Sequence, residues 1–389
     1  MRKHLILVGG GHAHMMVLEN LDQFIERDWK VMVIAPSAFH YYSGMGPGML
    51  GGSYTPEEIR FDTRGGVLAN GGIFIKDRVV SVDPGKREVF TASGHSFHYD
   101  LISFNAGSRV ETSDILSVDP FYTVYPVKPI ERLMEAQGKL EPLLARGGAR
   151  IHIVGGGPSA AEIAGNVWQL ARRVNRTHPP LIRILAGKRF MIRFPETIRS
   201  RVRRILEKRG IEILENRYVA EVGERKIHLA SGHTHASDFT FMALGVTPSS
   251  IFEASGLPVG PDGGLLVNTF LQSVKYPEIF GGGDCIHFEP QALDKVGVYA
   301  VRQNPVLLHN LLACMDDKPL LPFDPGGDYL LIFNLGGGKG VFKKRQYCFS
   351  GRLAFWIKHV IDTRFMKRFQ SPEKRPRSFR SRGIVGTRK

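Results

Sequence analysis

Cysteine is scarce in this sequence of 389 residues, with single residues at Cys285, Cys314 and Cys348. Their spacing is too wide for a zinc knuckle or a CxxC redox pair, so the sequence predicts neither a metal site nor a disulfide scaffold. No apolar run approaches the roughly 20 residues that a helix needs to cross a bilayer. Residues 1–4 lead directly into the first apolar run, and we therefore expect no signal or transit peptide.

Acidic residues are also in deficit, because 37 Asp and Glu face 52 Lys and Arg and give a net charge of +15. From Arg352 onward, twelve Lys and Arg stand against Asp362 and Glu373, so most of the excess lies at the C-terminal end. A basic segment of this kind indicates an anionic partner, either nucleic acid or lipid headgroups. The alternative for the stretch after Gln370 is a solvated, disordered tail.

Glycine is abundant, and it forms two similar turns, GGGHAH at residues 9–14 and GGGPSA at residues 155–160. Each turn follows a short apolar run typical of a buried parallel strand and precedes a helical pattern. In this context the first glycine permits a tight turn and the second lets the backbone approach a pyrophosphate. The sequence therefore predicts two dinucleotide sites, and a flavin with a nicotinamide would make the chemistry hydride transfer.

The order of the elements predicts an α/β fold with two Rossmann-like dinucleotide-binding domains, the second inserted in the first, and a small C-terminal α+β section. We place the first domain at residues 1–125 and 246–321, the second at 126–245, the C-terminal section at 322–370 and a disordered basic tail at 371–389. Longer helices are predicted over residues 159–174, 198–209, 296–315 and 352–369.

Further short motifs accompany the two turns: YD at 99–100, NAGS at 105–108, Glu162 after the second turn, ALGVTP at 243–248 and GDC at 283–285. By these motifs, which cover about residues 4–315, the chain resembles the two-dinucleotide flavoproteins of the pyridine nucleotide-disulfide oxidoreductase type. Within that group it is similar to type II NADH dehydrogenases and sulfide:quinone oxidoreductases. The segments HAH at 12–14, YSGM at 42–45, AVRQ at 300–303 and the run 362–369 resemble more closely the flavoprotein module fused to selenide, water dikinase.

The resemblance implies FAD at the first turn and NADH or NADPH at the second. The residues it assigns to FAD are Gly9, Gly11, His12, Ala13, Ser37, Ala106, Gly107, Gly283, Asp284 and Val301, and those it assigns to the nicotinamide are Gly155, Gly157, Pro158, Ser159, Lys188 and Arg189. It implies that Asp284 bonds the ribityl chain; the alternative is a helix N-cap.

The acidic residue that usually binds the adenosine ribose is missing from both predicted sites. Ser37 stands near its position in the first, where it can bind the ribose hydroxyl more weakly. In the second, Lys188 and Arg189 can pair with a 2′-phosphate, which favours NADPH as much as NADH. A further alternative is that this site binds no nicotinamide and that another donor reduces the protein.

The resemblance implies catalytic roles for Glu162, as a proton relay near nicotinamide and flavin, and for Gln303, beside a quinone. For Glu162 the alternative is stabilisation by the helix dipole. His14 stands at the third glycine position of the first turn, where we expect it to fill the gap between strand and helix. Without a cysteine pair, a quinone suits the site better than a thiol, and Tyr41, Tyr42 and Met45 are candidate wall residues.

The last predicted helix is amphipathic. Its apolar face comprises Leu353, Trp356, Ile357, Val360 and Ile361, and its charges are Arg352, Lys358, Lys367 and Arg368. Such a helix can lie in the headgroup interface or close a core. We therefore predict an FAD-dependent NAD(P)H:quinone oxidoreductase, cytoplasmic and peripheral on the inner face of the cell membrane. Its expected partners are a quinone and an anionic membrane surface, with no specific nucleic acid and a homodimer left open. The alternatives are an oxidoreductase for sulfide or selenium species and a non-enzymatic flavin-binding partner in selenium metabolism.

Overall fold

Two five-stranded parallel sheets form the centre of the protein, in a computed structural model that describes residues 2–112, 115, 123–223 and 225–370. In spatial order the first sheet consists of Ile279–Gly281, Leu101–Phe104, Lys3–Val8, Trp29–Ala35 and Ile73–Lys76. The second consists of Val124–Pro126, Phe239–Met242, Arg150–Val154, Leu181–Leu185 and Glu212–Leu214. Both sheets are Rossmann-like, which confirms the predicted fold class. The predicted basic tail lies outside the described residues.

The strand before each glycine turn lies where the strand order reverses. Lys3–Val8 and Arg150–Val154 each pair with the next strand of their own sheet on one side and with a strand from much later in the chain on the other. In open parallel sheets, ligands bind at the carboxyl ends of the strands at this crossover point. The fold therefore places both glycine turns at the positions where such sheets bind ligands.

The second sheet is inserted in the chain of the first, because Ile279–Gly281 returns to the first sheet after the second is complete. The chain changes sheets slightly before the predicted boundary at residue 126, since Val124–Pro126 already pairs with Phe239–Met242. The two connections between the sheets pair with each other, as Ser108–Val110 runs antiparallel to Val246–Pro248.

Smaller sheets flank the parallel ones. They are the hairpin of Phe39–Tyr41 with Arg60–Asp62, the meander Val79–Asp83, Glu88–Thr91 and Ser96–His98, the meander Val219–Gly223, Lys226–Leu229 and Thr234–Ala236, the parallel pair Leu265–Val267 and Ile286–Phe288, and the C-terminal sheet Leu331–Asn334, Gly340–Lys344 and Tyr347–Gly351.

The four predicted helices lie within two residues of their expected bounds, at Pro158–Val174, Glu196–Glu207, Gly297–Met315 and Arg352–Gln370, whereas the 16-residue helix Glu131–Arg146 was not predicted. The other α-helices are Met15–Glu19, Leu21–Ile25, Gly46–Leu50, Thr63–Ala69 and Ile251–Ala254, and short 3-10 turns occur at His12–His14, Ser43–Met45, Glu57–Ile59 and Gly283–Cys285. Within the described ranges, no helix has the length and apolarity required to cross a membrane.

The helix after the first glycine turn differs from the expected continuous pattern. It begins as the 3-10 turn His12–His14 and breaks at Asn20, whose φ of −121° and ψ of 32° leave the helical region. The Asn20 amide donates to the carbonyl oxygen of Met16 at 2.7 Å. Asparagine side chains compete in this way with the backbone for hydrogen bonds, which explains the interruption.

Two hydrophobic cores follow the two sheets. One encloses the first sheet together with the helix Gly297–Met315. The other encloses the second sheet and extends to Met45 and Met49 of the loop after residue 39 and to Val341 and Met366 of the C-terminal section. Complete burial of a Val, Met or Leu side chain contributes roughly 1.5–3 kcal/mol. The C-terminal section is therefore held firmly against the second unit.

A glycine contact brings the C-terminal section close to the helix Pro158–Val174. A Cβ at Gly165 would overlap the backbone of Leu335, and a Cβ at Gly336 would overlap the backbone of Gly165. The Asn166 amide, one residue on, donates to the carbonyl oxygen of Asn334 at 3.0 Å. Backbone approach at these two glycines seats the C-terminal section directly on the helix that begins at the second glycine turn.

Candidate functional site

Three backbone turns meet at the carboxyl end of the first sheet. Gly9 has a φ of +88°, and a Cβ at Gly9 or Gly11 would overlap Asn105. The Asn105 amide donates to the carbonyl oxygen of Gly282 at 2.7 Å and so joins the turn at residues 105–108 to the turn at residues 282–285. The predicted cofactor residues brought to this edge are Gly9, Gly11, His12, Ala13, Ala106, Gly107, Gly283 and Asp284.

Asp284 is held by two partners at this edge. Its Oδ2 accepts from Lys128 Nζ at 2.7 Å and from Ser108 Oγ at 2.9 Å. Burial opposes ionisation, but the Lys128 charge and these hydrogen bonds outweigh it and hold the pKa of Asp284 below its ordinary value. The Gly283–Cys285 turn has no side-chain cap, so the alternative of a helix N-cap is wrong. Sequence reasoning missed Lys128, which lies 156 positions away in the chain.

Gln303 carries an unpaired donor beside Asp284. The side chain is fully buried, and its Oε1 accepts the backbone N–H of Gly283 at 2.7 Å. Its Nε2 has no hydrogen-bond partner among the described residues. A buried donor without an acceptor costs about 1–3 kcal/mol, so the site lacks one acceptor oxygen. Val301, predicted near the same cofactor, is 37% exposed on the same helix.

This edge fits the chemistry of a dinucleotide. Side-chain-free backbone at Gly9, Gly11 and Gly283 lets phosphate oxygens approach peptide N–H groups, and Asp284 can accept hydrogen bonds from sugar hydroxyls. The unpaired Gln303 amide can donate to an oxygen of the same ligand. Ser37 lies farther along, in the loop after Trp29–Ala35, where its Oγ accepts the N–H of Phe39 at 3.2 Å.

The two histidines of the first turn differ in their surroundings. His14 is fully buried, with Nδ1 2.7 Å from the Gly9 carbonyl oxygen and Nε2 2.8 Å from Ser103 Oγ. Burial lowers its pKa to about 4, so it is a neutral packing residue that fills the gap, as expected. His12 is also buried, but its Nδ1 faces His40 Nε2 at 3.2 Å and its Nε2 has no partner among the described residues.

The second glycine turn lies at the equivalent edge of the second sheet. Gly155 has a φ of +130°, and a Cβ there would overlap the Ala243 carbonyl. Gly157 precedes the 17-residue helix that starts at Pro158, and the space beside it is open. The first N–H groups of a helix have no partner within it and carry partial positive charge. Gly155, Gly157, Pro158 and Ser159 lie together at this turn, and its geometry suits an anion.

Lys188 and Arg189 are exposed in the loop after Leu181–Leu185, at the position where the adenosine ribose of a dinucleotide lies in Rossmann-like sheets. Arg189 contacts Glu196 at 3.5 Å, with both side chains at least 60% exposed. Exposed pairs of this kind contribute about 0–1 kcal/mol, so the guanidinium is available to a ligand.

Glu162 lies on the helix that starts at the second turn, beneath the C-terminal section. Its Oε1 accepts the backbone N–H of Asn334 at 2.7 Å. Burial raises the pKa of Glu162 to about 7; nearby Lys358 and the hydrogen bond from Asn334 oppose this shift, whereas Asp362 adds to it. The carboxyl group can therefore hold or release a proton near neutral pH, which an ordinary glutamate cannot.

The C-terminal helix Arg352–Gln370 has its apolar side outward. Leu353, Trp356 and Ile361 are 58%, 60% and 43% exposed. The prediction that Lys358 belongs to the charged outer face is wrong, because Lys358 and Asp362 pair at 2.9 Å with side-chain exposures of 13% and 5%. Pairing with Asp362 and proximity to Glu162 outweigh burial and raise the pKa of Lys358, which allows the charge to remain inside.

Tyr42 connects this buried pair to the first turn. Its hydroxyl lies 3.1 Å from Asp362 Oδ1, and its ring centroid lies 5.2 Å from that of His12. The predicted wall residues Tyr41 and Met45 are buried in the second core instead. Sequence reasoning missed Asp362 and His40; the only signal was the i, i+4 spacing of Lys358 and Asp362.

The three cysteines are free. Cys285 is fully buried, with Sγ 3.3 Å from the Gly282 carbonyl oxygen, and burial raises its pKa to about 11. A thiol that stays protonated at neutral pH is a poor nucleophile. Cys285 is therefore a packing residue.

Two Rossmann-like units with a dinucleotide-type turn at each crossover point are the arrangement of a two-dinucleotide oxidoreductase. The chain belongs to the family described as pyridine nucleotide-disulphide oxidoreductase, whose sequence model matches residues 3–304. The NADH dehydrogenase-like protein YutJ of Bacillus subtilis (strain 168) is 22% identical over 292 residues, covering 73% of this chain and 76% of that protein.

Two solved structures show the same fold. The sulfide:quinone oxidoreductase of Aquifex aeolicus has a TM-score of 0.76 at 18% identity, covering 95% of this chain and 92% of that one. NDH2 of Plasmodium falciparum in complex with NADH has a TM-score of 0.81 at 15% identity, covering 95% and 97%. The resemblance to both groups, predicted from the motifs, is confirmed.

Proposed function

We propose that the protein is an FAD-dependent NAD(P)H:quinone oxidoreductase that works at a membrane surface. One observation carries the proposal: the helix of the second dinucleotide turn presents Glu162, with a pKa near 7, to a C-terminal helix whose outer face is apolar. The two helices thereby bring together the second glycine turn, a carboxyl group that can hold a proton, and an apolar surface. The relatives whose names include NADH dehydrogenase and quinone oxidoreductase support the same assignment.

In this proposal FAD occupies the first site and a nicotinamide the second. A flavin held there would supply the chemistry of accepting a hydride from a reduced nicotinamide and delivering the electron pair to a second substrate. Gly9, Gly11 and Gly283 leave room for its phosphates, while Asp284 and Gln303 offer an acceptor and a donor to its other polar groups. Gln303, which the resemblance placed beside a quinone, is assigned here to the flavin site instead, because its Oε1 holds the backbone of Gly283. Lys128 keeps Asp284 ionised, so that it acts as an acceptor of hydrogen bonds.

In this proposal Glu162 transfers a proton to the quinone. Reduction of a quinone to a quinol takes up one proton in addition to the hydride from NAD(P)H. A carboxyl group with a pKa near the working pH suits this transfer, because it is partly protonated and readily gives the proton up. The Lys358–Asp362 pair fixes the charges around it. The buried, high-pKa Cys285 gives the site no thiol for a disulfide pathway.

Anaerobic stopped-flow absorbance tests this function. We expect NAD(P)H to bleach the flavin band and a soluble quinone to restore it. Bleaching by sulfide or selenide alone would point instead to a sulfur or selenium substrate. No bleaching by any of these donors would indicate a non-enzymatic flavoprotein and contradict the proposal.

The second site leads to an expectation about the nicotinamide. Lys188 and Arg189 replace an acidic strand end, so we expect NADPH to reduce the flavin at least as efficiently as NADH. In the double variant Lys188→Gln/Arg189→Gln, kcat/KM for NADPH should fall about tenfold or more, since a hydrogen bond to a charged group contributes about 1.5–3 kcal/mol. The value for NADH should stay within about twofold.

Lys226→Gln is the matched control, because Lys226 is an exposed lysine of the same unit on a different sheet. It should change neither rate. A strong preference for NADH that persists in the double variant would rule out a contact with the 2′-phosphate.

The C-terminal helix leads to an expectation about membranes. Liposomes with anionic lipid should recruit the protein, and Leu353→Ser/Trp356→Ser should reduce flotation at least about tenfold, because each buried apolar side chain contributes roughly 1.5–3 kcal/mol. Lys367→Gln/Arg368→Gln should weaken binding and its dependence on salt, since each charge near the surface adds about 1 kcal/mol.

Leu68→Ser/Ile192→Ser is the control, because these side chains are 52% and 57% exposed and do not belong to the C-terminal helix. It should float like wild type. Equal flotation of all variants, or tighter binding to nucleic acid than to any liposome, would remove the membrane from the proposed function.

A further inference from the structure

We propose that His12 binds an oxygen of the electron acceptor and that His40 positions His12 for this contact. The inference deepens the function proposed above and rests on it. Glu162 remains the group that transfers the proton. His12 is neutral and orients the acceptor through a hydrogen bond.

The first observation is an unused atom. His12 is 7% exposed, its Nδ1 lies 3.2 Å from His40 Nε2, and its Nε2 is buried without a partner among the described residues. His14, two residues on, uses both of its ring nitrogens. A buried ring nitrogen without a protein partner is uncommon, and that of His12 lies at the edge where the predicted cofactor residues meet, so it points to a ligand.

The contact with His40 determines what the open nitrogen offers. A neutral imidazole has one N–H and one bare nitrogen. If His40 Nε2 donates to His12 Nδ1, then His12 carries its hydrogen on Nε2 and donates to a carbonyl oxygen. If the contact runs in the other direction, Nε2 is bare and accepts from a hydroxyl. The pair can therefore serve a carbonyl compound and its reduced hydroxyl form, which are the two states of a quinone.

The walls around His12 fit a flat ring. Phe365 of the C-terminal helix stacks on His12 with centroids 5.5 Å apart and planes 14° apart. Tyr42 and Phe61 lie at 5.2 and 6.2 Å. Aromatic faces favour planar apolar rings with polar edges. Phe365 belongs to the same helix as the exposed apolar side chains, so the aromatic wall beside His12 and the proposed membrane face are parts of one element.

The charges that face the pair keep it neutral. Burial lowers the pKa of both rings, and the charge of Lys128 acts in the same direction. The contact between the rings lowers the pKa of His12 further. On the side of the C-terminal helix, Tyr42 separates His12 from Asp362, whose charge is paired with Lys358. A neutral imidazole N–H polarises a carbonyl oxygen without giving up its proton, which leaves proton transfer to Glu162.

The test compares acceptors. In the anaerobic assay, with rates expressed per bound flavin, His12→Phe should slow reoxidation by a soluble quinone at least tenfold relative to wild type, equivalent to one lost hydrogen bond of about 1.4 kcal/mol. Ferricyanide, which has no carbonyl oxygen, should reoxidise the variant at the wild-type rate. His40→Leu should behave like His12→Phe, whereas His40→Gln, which keeps an N–H donor, should restore much of the quinone rate.

A second readout does not depend on turnover. Nitrogen NMR of histidine-labelled protein should show His12 neutral at pH 7 with one defined tautomer, and His40→Leu should disturb that tautomer. His233→Ala, at an exposed histidine of the second unit, is the control and should change nothing.

The outcomes separate the two proposals. If wild type reduces ferricyanide but no quinone, the proposed function fails. If wild type reduces quinones and His12→Phe slows quinone and ferricyanide equally, or loses flavin, then His12 belongs to the flavin site and the acceptor contact is wrong. An unchanged quinone rate in His12→Phe would contradict the inference directly.

Discussion

Replacing Asp284 by alanine is expected to lower the flavin content of the purified protein to less than about a tenth of the wild-type value, because hydrogen bonds to a charged group contribute about 1.5–3 kcal/mol and ~1.4 kcal/mol is a factor of ten. The variant also leaves the Lys128 ammonium, 24% exposed in the native pair, without its partner. An ammonium group donates hydrogen bonds but accepts none, so Lys128 cannot replace the carboxylate as an acceptor for hydroxyl groups. The ratio of flavin to protein absorbance measures the effect.

Asp284→Asn tests the charge separately from the shape, since the amide keeps one oxygen that Ser108 can reach. Its flavin content should lie between those of wild type and Asp284→Ala. Asp316→Asn is the matched control, because Asp316 also forms an ion pair, with Arg27 at 2.9 Å, and should keep its flavin. Full flavin occupancy in a normally folded Asp284→Ala variant would show that the carboxylate is not a cofactor ligand.

Glu162→Gln is expected to reduce turnover with quinone by about 10²–10⁴, the usual contribution of a positioned proton-transfer group. Glutamine can still accept the N–H of Asn334, so the fold around it should persist. In the wild type the pKa of Glu162 is raised to about 7, and a proton donor of this kind loses activity as the pH rises through that value. The pH profile should show this decline, and the variant should lack it.

The same carboxyl group links folding to pH. Because burial raises its pKa from 4.5 to about 7, its contribution to stability is complete below about pH 4.5 and is lost as the pH rises through about 7. The unfolding midpoint of Glu162→Gln should therefore improve relative to wild type between pH 5 and pH 8. Glu221→Gln, at an exposed glutamate, should show neither the kinetic nor the stability effect. A parallel pH dependence in all three proteins would mean that Glu162 titrates normally.

The glycine turns and the sheets were predictable because their signals are local. Apolar runs ending in GGG at residues 9–11 and 155–157 specify strand, turn and ligand edge within a dozen residues. The helix ends were equally accessible, since Pro158 and Gly297 mark starts that depend on nearby backbone geometry. Asn20 shows the limit of such reasoning, because its helix break results from competition between two hydrogen-bonding patterns that the periodicity does not rank.

The partners of the site residues were not predictable, because long-range pairing sets them. Lys128 looks like an ordinary lysine before a proline until the fold brings it to Asp284. Lys358 looks like part of a charged outer face, since helical periodicity places charges in water by default. Its inward position depends on Asp362 and Glu162 together, which supply enough opposing charge to outweigh the desolvation of an ammonium group.

The inward Lys358–Asp362 pair has a consequence for how mutations affect such a protein. One helix carries both the outer apolar side chains and the charges that surround Glu162. A mutation that shortens, shifts or replaces this helix changes both the exposed apolar surface and the charges that set the pKa of Glu162. Single substitutions can alter either side of the helix alone, whereas its loss or displacement alters both, so under the proposed function membrane binding and the electrostatic environment of the carboxyl group depend on one element.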